Sequence, residues 1–239
     1  MAPPSHPKLA GLDLIQTTYK TVASHSIRTD ILIPQNQHTG KRPIIIRFHG
    51  GGLVTADSLY MDFWPQWLTD LAIETNAIIL SPNYRLLPSA TSTQIYEDVE
   101  DFWAWVHSPA LADLLAAHGA EADLARILSA GESAGGLLSI ALALAHPEIR
   151  ACTAAYPCVD LAAEAFNAPR EVLPFGISQD KGLIEKTIED VLKAGVVESS
   201  IEEHERLVFM LALVQHGALG GLYERGTGGE GEGGAISCC

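Results

Sequence analysis

Residues 131–136 read Gly-Glu-Ser-Ala-Gly-Gly and fit the G-x-S-x-G pattern of a nucleophile elbow. An apolar run at 125–130 precedes them and predicts a strand, and the small residues at 137–145 predict a helix. A serine at such a strand–turn–helix junction is held in a strained backbone conformation that lifts its hydroxyl clear of the sheet. The two glycines of the pattern leave no Cβ where strand and helix pass closely. The stretch therefore predicts Ser133 as a catalytic nucleophile.

A second motif lies upstream, where a β-branched run at 43–48 predicts a buried parallel strand. It is followed directly by His-Gly-Gly-Gly (His49–Gly52), the oxyanion-hole motif of lipases and esterases. Amides of Gly50 and Gly51, with that of Ala134, would hold the oxyanion of a tetrahedral intermediate. One such donor contributes about 3–4 kcal/mol in the transition state. A glycine-rich turn with no chemistry is the alternative interpretation, and the elbow downstream favours the oxyanion hole.

A third segment makes a family resemblance specific. A predicted strand at 77–80 runs into Ser-Pro-Asn-Tyr-Arg-Leu-Leu-Pro. From residue 25 to 225 the chain resembles the hormone-sensitive-lipase-like family of α/β-hydrolases, which carries H-G-G-G, then a D-Y-R-L-A-P-E-like segment, then G-D-S-A-G-G. The chain departs from the family pattern at four positions, with Asn83 for Asp, Leu87 for Ala, Ser89 for Glu and Glu132 for Asp.

The resemblance implies a carboxylic-ester hydrolase that acts on small or medium acyl esters through Ser133. It implies that His49 supports the geometry of the oxyanion loop, that Glu132 is a structural partner of the elbow, and that neither a metal nor an organic cofactor takes part. The breadth of the family suggests metabolite biosynthesis, or secondary metabolism, as the setting. It also implies a helical cap that encloses the substrate and excludes water.

Strands that alternate with helices predict the α/β-hydrolase fold, a mostly parallel central sheet flanked by helices. Residues 1–160 are predicted to form the core, 161–225 a helical cap-like region and 226–239 a disordered glycine-rich tail. Residues 1–27 are expected to be an irregular or partly helical lead-in. Further predicted strands lie at 26–33 and 150–156; further predicted helices lie at 60–74, 94–107, 110–118, 183–192 and 202–216.

Composition limits the partners. The chain has 239 residues, 47% of them hydrophobic, as expected for one domain with a full core. A formal net charge of −14 disfavours nucleic acid and anionic membranes as partners. Cys152 and Cys158 are expected to be buried thiols, and nothing indicates a disulfide framework or a zinc site. These features, with no signal peptide or transmembrane run, predict a cytoplasmic protein.

The acid and the histidine of a catalytic triad should follow the nucleophile in this fold. Neither segment can be found, and the last strands are expected to be missing. His216 imitates the family's H-G but ends a helical segment, and His146 follows the nucleophile helix. Asp160 is best interpreted as a turn residue. His118 and His204 lie in polar stretches and are expected to be solvated.

Three interpretations follow and stay open. The chain is a truncated or frameshifted esterase, a pseudo-hydrolase that binds a small carbonyl or acyl compound, or an enzyme with weak activity from nucleophile and oxyanion hole alone. The elbow strand should lie mid-sheet between the 43–48 and 151–156 strands. Loss of later strands would leave 151–156 as an apolar edge, which predicts pairing into a homo-oligomer or aggregation.

Overall fold

Six strands form one mixed sheet in the structure, a computed structural model that describes residues 6–171, 176–201 and 204–225. The strand order is β1-β2-β4-β3-β5-β6. β1 and β2 run antiparallel to their neighbours, whereas β4, β3, β5 and β6 are mutually parallel, which confirms the predicted fold class. The strands are β1 (Leu12–Val22), β2 (His25–Pro34), β3 (Arg42–Phe48), β4 (Ile78–Pro82), β5 (Ala122–Glu132) and β6 (Ala151–Ala155).

Eight α-helices are present among the described residues. They are α1 (Gln66–Thr75), α2 (Ser92–Val106), α3 (Pro109–Ala117), α4 (Ala134–Ala145), α5 (Glu164–Asn167), α6 (Gly182–Ala194), α7 (His204–Gln215) and α8 (Leu219–Glu224). The expected helix at 60–74 begins only at Gln66, because Pro65 lies in extended conformation at its N-cap. A capping box between Thr91 and Gln94 starts α2.

The expectation of an irregular lead-in over residues 1–27 is wrong. After a short 3-10 helix at Pro7–Leu9, the chain forms β1 and turns back into β2 as a hairpin. The two turn residues, Ala23 and Ser24, have φ of 47° and 69°. Such turns usually carry Asn-Gly, since positive φ is costly for other residues. The sequence therefore lacks the usual hairpin signal at this position.

The sheet has a hydrophobic core on each face, and β3 shows why. Side chains alternate along a strand, so Ile44 and Ile46 pack in the cluster with α2, α3 and α4, whereas Ile45 packs with α1. All three side chains are buried. The continuous apolar run that predicted a buried parallel strand is thus the result of burial on both sides.

The elbow strand β5 lies between β3 and β6, as the sequence predicted. β6 is an edge strand among the described residues, and its first three residues are exposed. Cys152 is one of them, so the prediction of a buried thiol at this position is wrong. The cause of the error is that the apolar and small residues of this edge strand form the same sequence pattern as those of an interior strand.

Helices α5–α8 occupy the region predicted as cap-like. Four side chains of this region are buried in the hydrophobic cluster that contains Ile44 and Ile46 of β3. They are Phe209 and Leu213 of α7 and Leu219 and Leu222 of α8. Ile201 forms an isolated antiparallel bridge with Ala56, just after the H-G-G-G loop. This region is therefore packed onto the loop that follows β3. The predicted glycine-rich tail at 226–239 lies outside the described residues.

Candidate active site

The two motifs lie side by side at the carboxyl ends of two neighbouring strands. The H-G-G-G loop follows β3 and the elbow follows β5, and these parallel strands are direct neighbours. The strand order changes direction at β3, because the chain runs from β3 to β4 on one side and later to β5 on the other. Ligands of open α/β sheets bind outside the carboxyl ends of strands at such a switch point.

Ser133 occupies the strained turn that the sequence predicts. Its φ is 53° and ψ −119°, and it lies between the last residue of β5 and the first of α4. Backbone bonds hold it on both sides: its amide donates to Ala155 O at 2.9 Å, and its carbonyl accepts from Gly136 N at 3.0 Å and Cys158 N at 3.2 Å. A positive φ in a non-glycine residue persists only where surrounding structure enforces it.

The H-G-G-G loop lies directly against the elbow. A Cβ on Gly50 would come within 2.9 Å of Glu132 O and 3.5 Å of Ser133 Cβ. The loop turns at Gly51 (φ 112°), whose carbonyl accepts from the amides of Val54 and Thr55. The structure shows no hydrogen bond from the amides of Gly50, Gly51 or Ala134 to any other described residue. These three amides, in the loop packed against the elbow and at the start of α4, therefore have no partner among the described residues.

His49 is fully buried beneath this loop. Its Nδ1 lies 2.7 Å from Gly50 O, and its ring stacks on Tyr84 at 4.4 Å. The Tyr84 hydroxyl donates to His49 O at 2.7 Å. Burial lowers the pKa of His49 to about 4, although the bond to Gly50 opposes this. A neutral imidazole that donates through Nδ1 to a backbone carbonyl fits the predicted support of the loop.

This histidine should give the fold a specific pH dependence. Because its folded pKa lies below its unfolded value, the unfolded chain binds a proton between pH 6.5 and about 4 that the folded chain does not. The free energy of unfolding should fall by about 3 kcal/mol through this group as pH drops across that window. His49→Asn keeps a donor and removes the titration, so urea titrations at pH 7, 5.5 and 4 should give it a shallower slope. Equal slopes in both proteins would contradict this account.

Glu132 pairs with a residue that sequence reasoning missed. Arg47 Nη2 lies 3.0 Å from Glu132 Oε2, and the guanidinium packs over the Trp64 ring at 4.9 Å. Arg47 also donates to the carbonyls of Ser58 and Phe63. Burial raises the pKa of Glu132, and the Arg47 charge opposes that rise. The available signal was a charged residue inside the apolar strand at 43–48, since buried charges are normally paired.

The Asn83 departure from the family pattern has an electrostatic basis. Asn83 Oδ1 accepts from Ser58 N at 2.7 Å, and its Nδ2 donates to Asp57 Oδ2 at 2.9 Å. Asp57 also pairs with Arg28 at 2.6 Å and accepts from Ser200. A neutral amide can donate to this buried carboxylate where an aspartate would repel it. The hydrogen bond from Ser200 to Asp57 thus connects the segment at residue 200 to the loop after β3.

Among the described side chains, none of the candidate histidines forms a hydrogen bond with Ser133. His146 ends α4, whose 12 residues span about 18 Å from the elbow, and it pairs with Glu100 at 2.8 Å. His216 Nε2 contacts Gln179 O at 2.9 Å. His118 is exposed, as predicted. His204 begins α7, and its side chain lies outside the described part of the chain.

Asp160 and Cys158 lie in the segment that follows β6. Asp160 is exposed and accepts from Ala162 N at 3.1 Å, which is the predicted turn role. Cys158 Sγ lies 3.4 Å from Ser133 Oγ. Across residues 6–171, 176–201 and 204–225, Oγ makes this side-chain contact and none with a histidine or carboxylate. Sequence reasoning predicted Cys158 to be a buried thiol, but it is half-buried at the serine.

In the described part of the chain, no three His, Cys, Asp or Glu side chains converge as metal ligands do. None of the described helices is both long and apolar enough to cross a bilayer.

Comparison with known proteins agrees with this geometry. A sequence profile of the α/β hydrolase fold family matches residues 45–215. The chain is 33% identical over 228 residues to the probable carboxylesterase M8 of Phoma sp., which covers 90% of this chain and 70% of that protein.

Two solved structures have the same fold. A protein of unknown function from Staphylococcus aureus has a TM-score of 0.61 at 18% identity, covering 87% of this chain and 68% of that one. A structure from a study of two fungal esterases from Rhizomucor miehei has a TM-score of 0.51 at 24% identity, covering 70% and 53%. Since the profile spans more than half of the chain, this protein belongs to the α/β hydrolase fold family, as a carboxylesterase-like serine hydrolase of the hormone-sensitive-lipase-like type.

Proposed function

We propose that this protein hydrolyses carboxylic esters of small acyl groups, with Ser133 as nucleophile. Its Oγ would attack the ester carbonyl carbon, and the oxyanion would accept hydrogen bonds from the amides of Gly50, Gly51 and Ala134. The observation that carries the proposal is the strained φ of Ser133 beside amides that bind no other described residue. Preorganised donors of this kind are the largest single contribution in many acyl-transfer enzymes.

The cap assignment belongs to the same proposal. Helices α5–α8 would cover the site, because the segment before α7 is anchored beside the oxyanion loop. Glu198 O accepts from Leu86 N at 2.8 Å, and Ser200 Oγ donates to the buried Asp57 at 2.5 Å. Such a cover excludes water from the reacting ester. A cytoplasmic location, a role in secondary metabolism and self-association through β6 remain predictions from the sequence.

A non-catalytic function on the same scaffold is the second candidate. The contact of Ser133 Oγ with a thiol, and with no described histidine, favours it. A protein of this kind would bind a small carbonyl or acyl compound at the amides of the oxyanion loop without turning it over. The two candidates differ in whether a base activates Ser133 for attack on the ester.

The test compares the wild type, Ser133→Ala and the control Ser26→Ala, an exposed serine on β2. We expect the wild type and the control to hydrolyse p-nitrophenyl acetate, and Ser133→Ala to fall to the rate in buffer, a loss of about 10³-fold or more. A phosphonate p-nitrophenyl ester should transfer its phosphonyl group to Ser133 Oγ with release of p-nitrophenol, and the protein should gain the mass of that phosphonyl group less one proton. Turnover that persists in Ser133→Ala would contradict the proposal. Absence of turnover with saturable binding of a trifluoromethyl ketone would favour the binding protein.

A further inference from the structure

A small apolar cavity opens beside the candidate nucleophile. Gly52 and Leu53 of the oxyanion loop form one side, and Ala134 of the elbow forms another. Leu219 and Tyr223 of α8 close it from the cap-like region. Its volume is about 10 Å³, which is the space of a single water molecule or methyl group.

The position of this cavity identifies the part of an ester that would enter it. Cys158 lines the cavity, and its Sγ is 3.4 Å from Ser133 Oγ. Ala134, whose amide is a proposed oxyanion donor, also lines the cavity. Consider an ester whose carbonyl carbon lies at Ser133 Oγ and whose carbonyl oxygen points toward the proposed oxyanion donors. The first carbon of its acyl chain would then lie at the opening of the cavity. Apolar lining suits an alkyl chain and offers no partner to a charged group.

We infer that this cavity is the acyl pocket and that it restricts the enzyme to acetyl esters, with Tyr223 as the residue that sets the limit. The inference rests on the proposed function. Tyr223 is half-buried, and its hydroxyl donates to the hydroxyl of Tyr96 on α2 at 3.0 Å. This bond joins α8 to α2, so the wall is held in place. A butyryl chain would have to displace the ring and break the bond.

The experiment uses phosphonate esters that carry methyl, butyl or hexyl groups, because they phosphonylate a serine without needing a later hydrolysis step. The rate of mass gain on Ser133 in the full chain is measured by mass spectrometry. We expect the methyl compound to react at least about 10-fold faster than the butyl compound, since one methylene in a fitted pocket changes rates by about 10–200-fold.

Variants of Tyr223 decide the assignment. Tyr223→Ala should reduce the methyl-over-butyl preference about 10-fold, mainly through a faster reaction with the butyl compound. Tyr223→Phe keeps the ring but removes the bond to Tyr96, so its preference should lie between those of the wild type and Tyr223→Ala. Tyr223→Leu, of intermediate size, should lie between them and serves if the alanine variant does not fold. Thermal melting of each variant confirms that it is folded.

The outcomes distinguish failure of the acyl-pocket assignment from failure of the proposed esterase function. A wild type that reacts equally with methyl and butyl compounds would overturn the acyl-pocket assignment, as would an unchanged preference in both Tyr223→Ala and Tyr223→Leu. In either case labelled Ser133 would leave the esterase proposal intact. If no phosphonate of any length labels Ser133, the proposed function itself fails, and the acyl-pocket assignment fails with it.

Discussion

Gly135→Ala should destabilise the fold by about 3 kcal/mol or more and abolish any chemistry at Ser133. A Cβ at this position would lie 2.1 Å from Phe48 O and 2.6 Å from His49 O. Both oxygens belong to the backbone at the end of β3, so no side-chain rotation relieves the overlap. The first turn of α4 would have to move away from the sheet, and overpacking of this severity is among the largest effects of single substitutions.

The matched control for this variant is Gly221→Ala. Gly221 lies in α8, and a Cβ there would meet no heavy atom within 4 Å. Alanine is the better helix former by about 1 kcal/mol, so this variant should be neutral or slightly stabilised. Urea unfolding followed by circular dichroism measures both. A Gly135→Ala protein as stable as the wild type would show that the elbow and β3 do not pass as closely as the structure has them.

Arg47→Met should cost about 3–5 kcal/mol, because it leaves a buried carboxylate without its counter-charge. Arg47 is fully buried, and Glu132 is 5% exposed. The arginine also satisfies the carbonyls of Ser58 and Phe63, which lose their donor in the variant. Since burial already raises the pKa of Glu132, removal of Arg47 raises it further. The destabilisation should therefore shrink as pH falls and the carboxyl becomes protonated in both states.

A double-mutant cycle tests this explanation. Arg47→Met combined with Glu132→Gln should recover part of the lost stability, because a neutral pair is easier to bury than a lone charge. Asp190→Asn breaks the exposed Lys186–Asp190 pair on α6 and should change stability by less than about 0.5 kcal/mol. Chemical denaturation at pH 7 and pH 5 measures the free energy of unfolding of four variants: Arg47→Met, Glu132→Gln, the double variant and Asp190→Asn. A loss below about 1 kcal/mol in Arg47→Met, or additive effects in the cycle, would contradict the coupling.

Local pattern was sufficient for much of the fold and for the two motifs of the candidate site. The β-branched run at 43–48 predicted β3 because burial on both faces demands it. The elbow pattern predicted the turn at Ser133, because its glycines meet a requirement of backbone packing. The β1–β2 hairpin was missed, because Ala23 and Ser24 adopt positive φ without the residues that usually signal it.

The sequence by itself determined which backbone geometry surrounds Ser133, because glycines at defined spacing are needed for any chain to turn there. Only the tertiary structure decided what lies around its hydroxyl. Arg47 and Glu132 are 85 positions apart, and Ser133 and Cys158 are 25 apart. Tyr223 closes its cavity through a bond to Tyr96, 127 positions away. Such contacts depend on strand order and helix packing, which no local window of residues contains.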